Sequence, residues 1–291
     1  MSNLSKGILA MLISALAFTV MGVCLKLSGD LPVVQKSIFR NAIAAALSGF
    51  LVWRHQVRFF AASANRKTLI WRSIFGLSGI LMSFYSIDHL VLSDADMIMK
   101  LSPFILIVLS AIFLQERVTP KQIAFCTLAF VGLILIIKPS FETALFPYLV
   151  ALGGAIAAAG AYLMLRVLAL SKVTESSYTI VFFFSFFSTI VLLPPLLFVY
   201  EPMNSAQLLF LIGSGVAATF GQFGITLAYR FASAKEVSIY SYTSVIFAAL
   251  FSVFLFNEMP DWVSWVGYLL IFISGYGMFL LNHHAARKEA A

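Results

Sequence analysis

The sequence predicts an all-α membrane protein of ten transmembrane helices, arranged as two inverted five-helix repeats with both termini in the cytoplasm. Three observations predict this fold. The chain is strongly apolar, its apolar residues fall into ten runs suited to crossing a bilayer, and its two halves resemble each other.

Composition places the chain in a lipid bilayer. Of 291 residues, 61% are hydrophobic and 11% charged, and the mean hydropathy is +0.98. A soluble domain carries about a quarter charged residues, so the excess apolar surface must face lipid. The net charge of +7 does not indicate nucleic-acid binding, because the basic residues fall between apolar runs, where they set membrane topology.

Each predicted helix is an apolar run bounded by charged residues or prolines. The runs cover residues 7–27, 33–53, 70–90, 94–115, 121–138, 147–168, 177–199, 206–229, 235–256 and 262–281. The breaks between them include Asp30 and Pro32, residues 54–67, Thr119 and Pro120, Pro139, Glu201 and Pro202, and Pro260 and Asp261. Proline lacks a backbone donor and charges resist burial in lipid, so both end a span.

The distribution of lysine and arginine predicts the orientation. With a cytoplasmic N-terminus, fourteen basic residues fall in cytoplasmic segments, Arg72 among them, and three fall outside: Lys26, Lys36 and Lys138. Cytoplasmic loops are enriched in these residues, so both termini are expected in the cytoplasm of a cell with a bacterial-type inner membrane.

The two halves of the chain align without gaps in two places. Residues 92–120 pair with 234–262, which matches Glu116 with Glu258, and residues 13–27 pair with 153–167, which matches Lys26 with Arg166. Five spans in each half is an odd number, so the second repeat is inverted. We expect domains at residues 1–141 and 142–291, whose exchange of conformations would open a cavity alternately to either side.

The layout resembles the drug/metabolite transporter superfamily, EamA branch. The resemblance lies in glutamates that close spans four and nine, basic residues that end spans one and six, and an arginine in span two. Phe18 stands where many members have a tryptophan. The resemblance implies secondary transport of small metabolites through a cavity lined by spans one, three, four, six, eight and nine.

Lys100 and Arg40 lie inside predicted spans, where a charge costs about 2.5–3.5 kcal/mol, and Lys100 is the deepest. Lys100 precedes Pro103, which would kink span four and free carbonyl groups toward a cavity. Lys100 is predicted to bind substrate, or else to extend outward or pair with Asp96. Arg40 is predicted to hold a carboxylate, or else to tie span two to its neighbour.

Four further charged residues are candidates for gating or proton relay. Asp96 either relays a proton or, with Ser93, forms a capping box at the start of span four. Asp88 lies at the outer rim, either solvated or as a relay. Lys26 and Arg166 end equivalent spans and are interpreted as gate partners or interface anchors.

Aromatic and amide side chains complete the predicted substrate site. Aromatic rings with polar tips suit a pocket for an amphipathic solute, although ordinary helix packing is the alternative for each residue. The candidates are Tyr85, Tyr162, Gln222, Tyr240 and Tyr242.

The sequence therefore predicts a secondary transporter that exports a small polar metabolite, such as an amino acid or its derivative, as a monomer or homodimer. Proton coupling or exchange would drive it. Motifs for ATP, dinucleotides, metalloprotease zinc and the nucleophile elbow are missing, so we expect no enzyme activity, cofactor or metal. The alternatives are import of a larger metabolite such as S-adenosylmethionine or riboflavin, export of a hydrophobic drug or lipid-like solute, and a membrane enzyme or scaffold.

Overall fold

A computed structural model describes residues 3–113, 119–137, 145–169, 171–173, 175–231, 238–257 and 259–290. In these residues the secondary structure is helical, without strands. The α-helices are α1 (Asn3–Leu27), α2 (Val33–Arg54), α3 (Arg66–His89), α4 (Leu92–Met99), α5 (Ser102–Phe113), α6 (Pro120–Ile137), α7 (Leu145–Ala169), α8 (Ser177–Val199), α9 (Ser205–Phe231), α10 (Thr243–Phe256) and α11 (Trp262–Ala290). The glutamates that mark the repeat, Glu116 and Glu258, lie outside the described residues.

Every predicted run corresponds to helix, but two runs are interrupted. The fourth run forms α4 and α5, separated at Lys100 and Leu101, and the ninth begins as a 3₁₀-helix, Ser238–Tyr242, before α10. Within the described residues, seven helices are long and apolar enough to cross a membrane, and Pro120–Ile136 and Tyr240–Phe256 are shorter apolar helices. The protein is thus a multi-pass membrane protein, whereas the count of ten spans and the side of the termini stay predictions.

Helix packing follows the repeat. If α1, α2, α3 and α6 are matched with α7, α8, α9 and α11, then α10 is the counterpart of α5. The packing of α1 against α9 is then repeated by that of α7 against α3, and the packing of α1 against α10 by that of α7 against α5. The pairs α2–α8 and α6–α11 each join a helix to its own counterpart. This pattern is what two repeats related by a twofold axis produce.

Small residues allow the helices to cross closely at equivalent places. Ser14 of α1 donates a hydrogen bond of 2.7 Å to the carbonyl oxygen of Gly221 in α9. In the other half, a Cβ atom on Gly154 of α7 would lie 3.5 Å from the carbonyl oxygen of Gly79 in α3. Close approach through small residues is how helices associate in lipid, where the hydrophobic effect between them is weak. The tight crossings fix the helices that surround the centre of the bundle.

Candidate solute-binding cavity

A central cavity of about 230 Å³ lies between the two repeats. Its walls come from α1, α3, α4, α5, α7, α9, α10 and the 3₁₀-helix before α10, with one side chain each from α2 and α8. These helices correspond to the predicted spans one, three, four, six, eight and nine. The polar residues of the lining are Ser14, Thr19, Arg40, Arg72, Ser83, Asp96, Lys100, Ser102, Tyr162, Gln222, Thr226 and Ser241.

The break between α4 and α5 lies on the cavity wall. Pro103 has no N–H group, so the helix cannot continue its regular hydrogen bonding through this turn. The Ser102 hydroxyl donates to the carbonyl oxygen of Met99, and the Lys100 N–H group bonds to Met97 at 3.0 Å. The predicted kink at Pro103 is therefore present as a two-residue turn, Lys100 and Leu101, between α4 and α5. Interrupted helices of this kind supply solute sites in many transporters.

Lys100 and Asp96 form an ion pair beside this break. The Lys100 ammonium nitrogen lies 3.6 Å from Asp96 Oδ1, and the two side chains keep 17% and 24% of their surface exposed. The hydroxyl group of Ser244 donates to Asp96 Oδ2 at 2.6 Å. Both charged residues line the cavity. Lys100 thus pairs with Asp96 at the cavity wall, and its contact with a solute stays a prediction.

The capping role predicted for Asp96 is wrong. Helix α4 begins at Leu92 with Val91 as its N-cap, which makes no side-chain capping bond, and Asp96 is the fifth helical residue. Its carboxylate bonds to Ser244 and Lys100 instead. The capping interpretation failed because the helix starts two residues earlier than the run predicted, which moves Asp96 out of the first turn.

Arg40 is the side chain of α2 that lines the cavity. Its side chain is almost fully buried, it donates from Nη1 to the side-chain oxygen of Asn41, and its Cζ atom lies 5.7 Å from the ring centre of Phe184. Its Nε atom has no hydrogen-bond partner in the described structure. The predicted alternatives, a solute contact and a structural tie between helices, are both compatible with this position.

Arg72 is a cavity residue that the sequence analysis missed, since its charge was counted among the cytoplasmic loops. Helix α3 begins at Arg66, so Arg72 lies well inside it, and 5% of its surface is exposed. Its guanidinium carbon lies 3.8 Å from the ring centre of Phe184, and Nη2 lies 3.4 Å from the side-chain oxygen of Gln222. Arg72 therefore does not belong in the count behind the predicted topology, which falls from fourteen cytoplasmic basic residues to thirteen, and the cytoplasmic side of the termini stays a prediction.

The face of α3 that carries Arg72 could have been recognised from its spacing. Gly76, Gly79 and Ser83 follow Arg72 at intervals that place all four on one side of a helix, and all four line the cavity. A Cβ atom on Gly76 would lie 2.8 Å from the Phe184 ring, so this glycine leaves room for the stack of Arg72 on Phe184.

The structure separates the five aromatic and amide candidates into two groups. Tyr162 and Gln222 line the cavity. Tyr85 lies outside its lining and stacks on His89 with ring centres 4.0 Å apart. Tyr240 also lies outside it and packs against the cluster formed by Met11 and Ala228. Tyr242 also lies outside the lining and contacts the break between α4 and α5, where its hydroxyl group lies 3.4 Å from the carbonyl oxygen of Lys100.

Two further gating candidates, Asp88 and Lys26, lie outside the cavity lining, unlike Asp96. Asp88 pairs with Lys36 at 2.6 Å, and Lys36 is 1% exposed, so neither is a simply solvated rim residue. The Lys26 ammonium group donates to the carbonyl oxygen of Leu90 at 3.3 Å and lies 5.1 Å from the ring centre of Phe256. The side chain of Arg166 lies outside the described residues.

A repeated bundle of membrane helices around a cavity that carries charged and polar side chains is an architecture shared by many membrane transporters. The model of the EamA-like transporter family matches residues 5–138 and, separately, residues 145–280. The chain belongs to this family, and it is a transporter and not an enzyme.

Relatives and a solved structure agree with this assignment. The chain is 31% identical to the pseudopaline exporter CntI of Pseudomonas aeruginosa, over 93% of this chain and 95% of that protein. It is 26% identical to human solute carrier family 35 member G1, over 97% of this chain and 81% of that protein. A crystal structure with 17% identity superposes with a TM-score of 0.70 and covers 97% of this chain and 99% of its own, which shows the shared fold.

Proposed function

We propose that the protein is a secondary transporter that exports a small polar metabolite, an amino acid or amino-acid derivative, across the inner membrane by alternating access. The observation that carries this proposal is the ion pair of Lys100 and Asp96 at the break between α4 and α5, on the wall of the central cavity. Charged residues within membrane spans are costly even when paired, and those that are retained usually mark a solute or ion pathway.

The size and chemistry of the cavity favour a small solute that carries charge. Ligand pockets usually have volumes of about 300–1,000 Å³, and this cavity, at about 230 Å³, is smaller than that range. Its wall presents an ammonium group, two guanidinium groups and one carboxylate group. A zwitterion or a carboxylate-bearing solute offers the complementary charges.

Alternating access follows from the repeats at residues 1–141 and 142–291. If the repeats take unequal conformations and exchange them, the cavity between them opens first to one side of the membrane and then to the other. The name of the similar pseudopaline exporter supports outward transport. Asp96 is the carboxylate on the cavity wall, and we assign any proton coupling to it.

A thermal-shift screen of the purified protein tests the solute class. A solute that binds only the folded state raises its stability by RT ln(1 + [L]/Kd). We expect saturable stabilisation by amino acids or their derivatives. Stabilisation by S-adenosylmethionine or riboflavin would favour the import of a larger metabolite, and stabilisation by hydrophobic cations alone would contradict a polar substrate.

One observation favours the export of a hydrophobic solute as a second candidate function. An apolar cavity of about 580 Å³ lies between α10 and α11, lined by residues that include Tyr242, Phe254, Trp265 and Phe272. Under this alternative, truncation of Tyr242 abolishes transport and substitution of Lys100 or Arg40 does not. Loss of transport in the Lys100 and Arg40 variants would exclude it.

A further inference from the structure

The two buried arginines on the cavity wall share one aromatic ring. The guanidinium carbons of Arg40 and Arg72 lie 5.7 Å and 3.8 Å from the ring centre of Phe184, and all three side chains are buried. The two positive charges are therefore within roughly 10 Å of each other. They come from different helices, α2 and α3, and the ring comes from α8 in the other repeat.

Neither guanidinium group has a carboxylate partner within the described part of the chain. Arg40 bonds to the amide oxygen of Asn41 and Arg72 to that of Gln222, while Arg40 Nε and Arg72 Nε and Nη1 have no partner there. The carboxylate on the cavity wall, Asp96, is already engaged by Lys100 and Ser244. The positive charge of the arginine pair is thus left without a counter-charge from these residues.

Two buried arginines without a carboxylate partner are unfavourable unless a ligand supplies the negative charge. Two like charges repel strongly in a low-dielectric interior, and a buried charge without a partner costs several kcal/mol. Arginine presents planar donors that match carboxylate and phosphate oxygens in pairs. Unpaired donors on buried arginines that border a cavity indicate that an anion occupies this end of it.

We propose that Arg40 and Arg72 form an anion subsite, and that the transported solute carries two negative charges that this subsite receives. The proposal rests on the proposed function of the cavity as the transport site, and it narrows the substrate from polar metabolites in general to diacidic ones. Two carboxylate groups or one doubly charged phosphoryl group fit the requirement. Lys100 and Asp96 contact the remainder of the solute.

Two amino acids of nearly equal size test the charge requirement. L-Glutamate carries two carboxylate groups, whereas L-glutamine carries one and an uncharged amide. We expect titration calorimetry of the purified protein to give L-glutamate at least about tenfold higher affinity than L-glutamine, because a charged hydrogen-bonded pair is lost in the second case. Inorganic phosphate and glutarate, titrated separately, tell a phosphoryl group from two carboxylates. Failure of glutamate, glutarate and phosphate alike to bind would overturn the proposal.

Variants locate the effect at the arginine pair. Arg40→Gln and Arg72→Gln should each weaken binding of the anionic probe at least about tenfold. Arg72→Lys should have an affinity between those of Arg72→Gln and the wild type, because lysine keeps the charge without the paired donors. Arg54→Gln, at an exposed residue, is the matched control and should bind as the wild type does.

The solute-free Arg72→Gln protein should melt no lower than the wild type, because one of two repelling charges is gone. Lower melting with unchanged affinity would assign Arg72 a structural role and overturn the proposal.

Transport assays separate this inference from the proposed function. If glutamine and glutamate bind equally and both exchange across a liposome membrane, the anion subsite is wrong and the transporter proposal stands. If glutamate binding depends on Arg72 but no solute exchanges, the anion subsite stands and the proposed transport of an amino acid through this cavity fails.

Discussion

The hydroxyl group of Tyr242 lies 3.4 Å from the backbone carbonyl oxygen of Lys100, and these two residues are counterparts in the internal repeat. Equivalent residues contact each other only where the axis that relates the repeats passes between them. Lys100 lies at the break between α4 and α5, and Tyr242 lies at the change from 3₁₀-helix to α10. The two interrupted helices therefore meet at the repeat axis, beside the cavity.

Replacement of Asp96 by asparagine tests its assignment to proton coupling. The amide oxygen of Asp96→Asn still accepts the hydrogen bond from Ser244, but the residue no longer exchanges a proton. We expect proton-driven accumulation of solute in liposomes to fall by at least about tenfold while solute counterflow, which needs no net proton movement, persists. Accumulation at the wild-type rate would exclude Asp96 as the coupling residue.

The aromatic support of the arginine pair is tested by Phe184→Leu. Leucine keeps an apolar side chain at this position but removes the ring on which Arg72 stacks at 3.8 Å. A cation–π contact contributes about 0.5–2 kcal/mol. The ring already holds the Arg72 guanidinium group in the solute-free protein, so only the part of this energy that positions Arg72 for solute is lost from binding, and affinity for an anionic solute should fall measurably but by no more than roughly thirtyfold. Titration calorimetry measures the change. Phe198→Leu, at an exposed ring on the same helix, is the control, and equal losses in both variants would contradict a specific role.

The approximate positions of the helices could be predicted from the apolar runs, because these depend on local composition, although the breaks within the fourth and ninth runs and the start of α4 could not. The cavity-lining helices were implied by the resemblance to the EamA family and not by composition. The spacing along α3 indicates the face that carries Arg72, but the burial of Arg72 could not be predicted, because it depends on Phe184 and Gln222, more than a hundred residues away in the chain. The positions of Tyr85 and Tyr240 outside the cavity lining could not be predicted either, since an aromatic residue on a membrane helix serves packing as readily as binding.

The crossing of α6 and α11 should tolerate no added methyl group. A Cβ atom on Gly132 would lie 2.8 Å from the carbonyl oxygen of Gly267, and a Cβ atom on Gly267 would lie 2.7 Å from that of Gly132. Gly132→Ala should therefore lower the free energy of unfolding by about 1–3 kcal/mol through overpacking. Thermal unfolding in detergent measures this effect.

Gly213→Ala is the matched control for the helix crossing. The neighbour of a Cβ atom there is the Cys24 sulfur at 3.3 Å, the end of a side chain that can shift. Alanine also favours helix over glycine, so this variant should melt close to the wild type. Equal melting of the Gly132 and Gly213 variants would contradict the close approach of α6 and α11.

The ion pair of Lys36 and Asp88 should stabilise the packing of α2 against α3. Asp88→Asn leaves Lys36, which is 1% exposed, without its charged partner. Breaking a fully buried pair costs about 3–5 kcal/mol. Since a fifth of the Asp88 side chain is exposed, we expect a loss of about 2 kcal/mol in thermal unfolding. Adding Lys36→Met should restore part of this stability, and a double variant less stable than Asp88→Asn would contradict the account.

Solute counterflow in liposomes, measured for Lys100→Ala beside the wild type, tests the central claim most directly. The claim is that solute crosses through the cavity at the break between α4 and α5, where Lys100 lies. Lys67→Ala, at an exposed lysine near the start of α3, controls for the loss of a positive charge. We predict that Lys100→Ala folds and melts normally but shows no counterflow, while Lys67→Ala exchanges solute as the wild type does. Counterflow at the wild-type rate in folded Lys100→Ala would contradict the assignment of this cavity as the transport site.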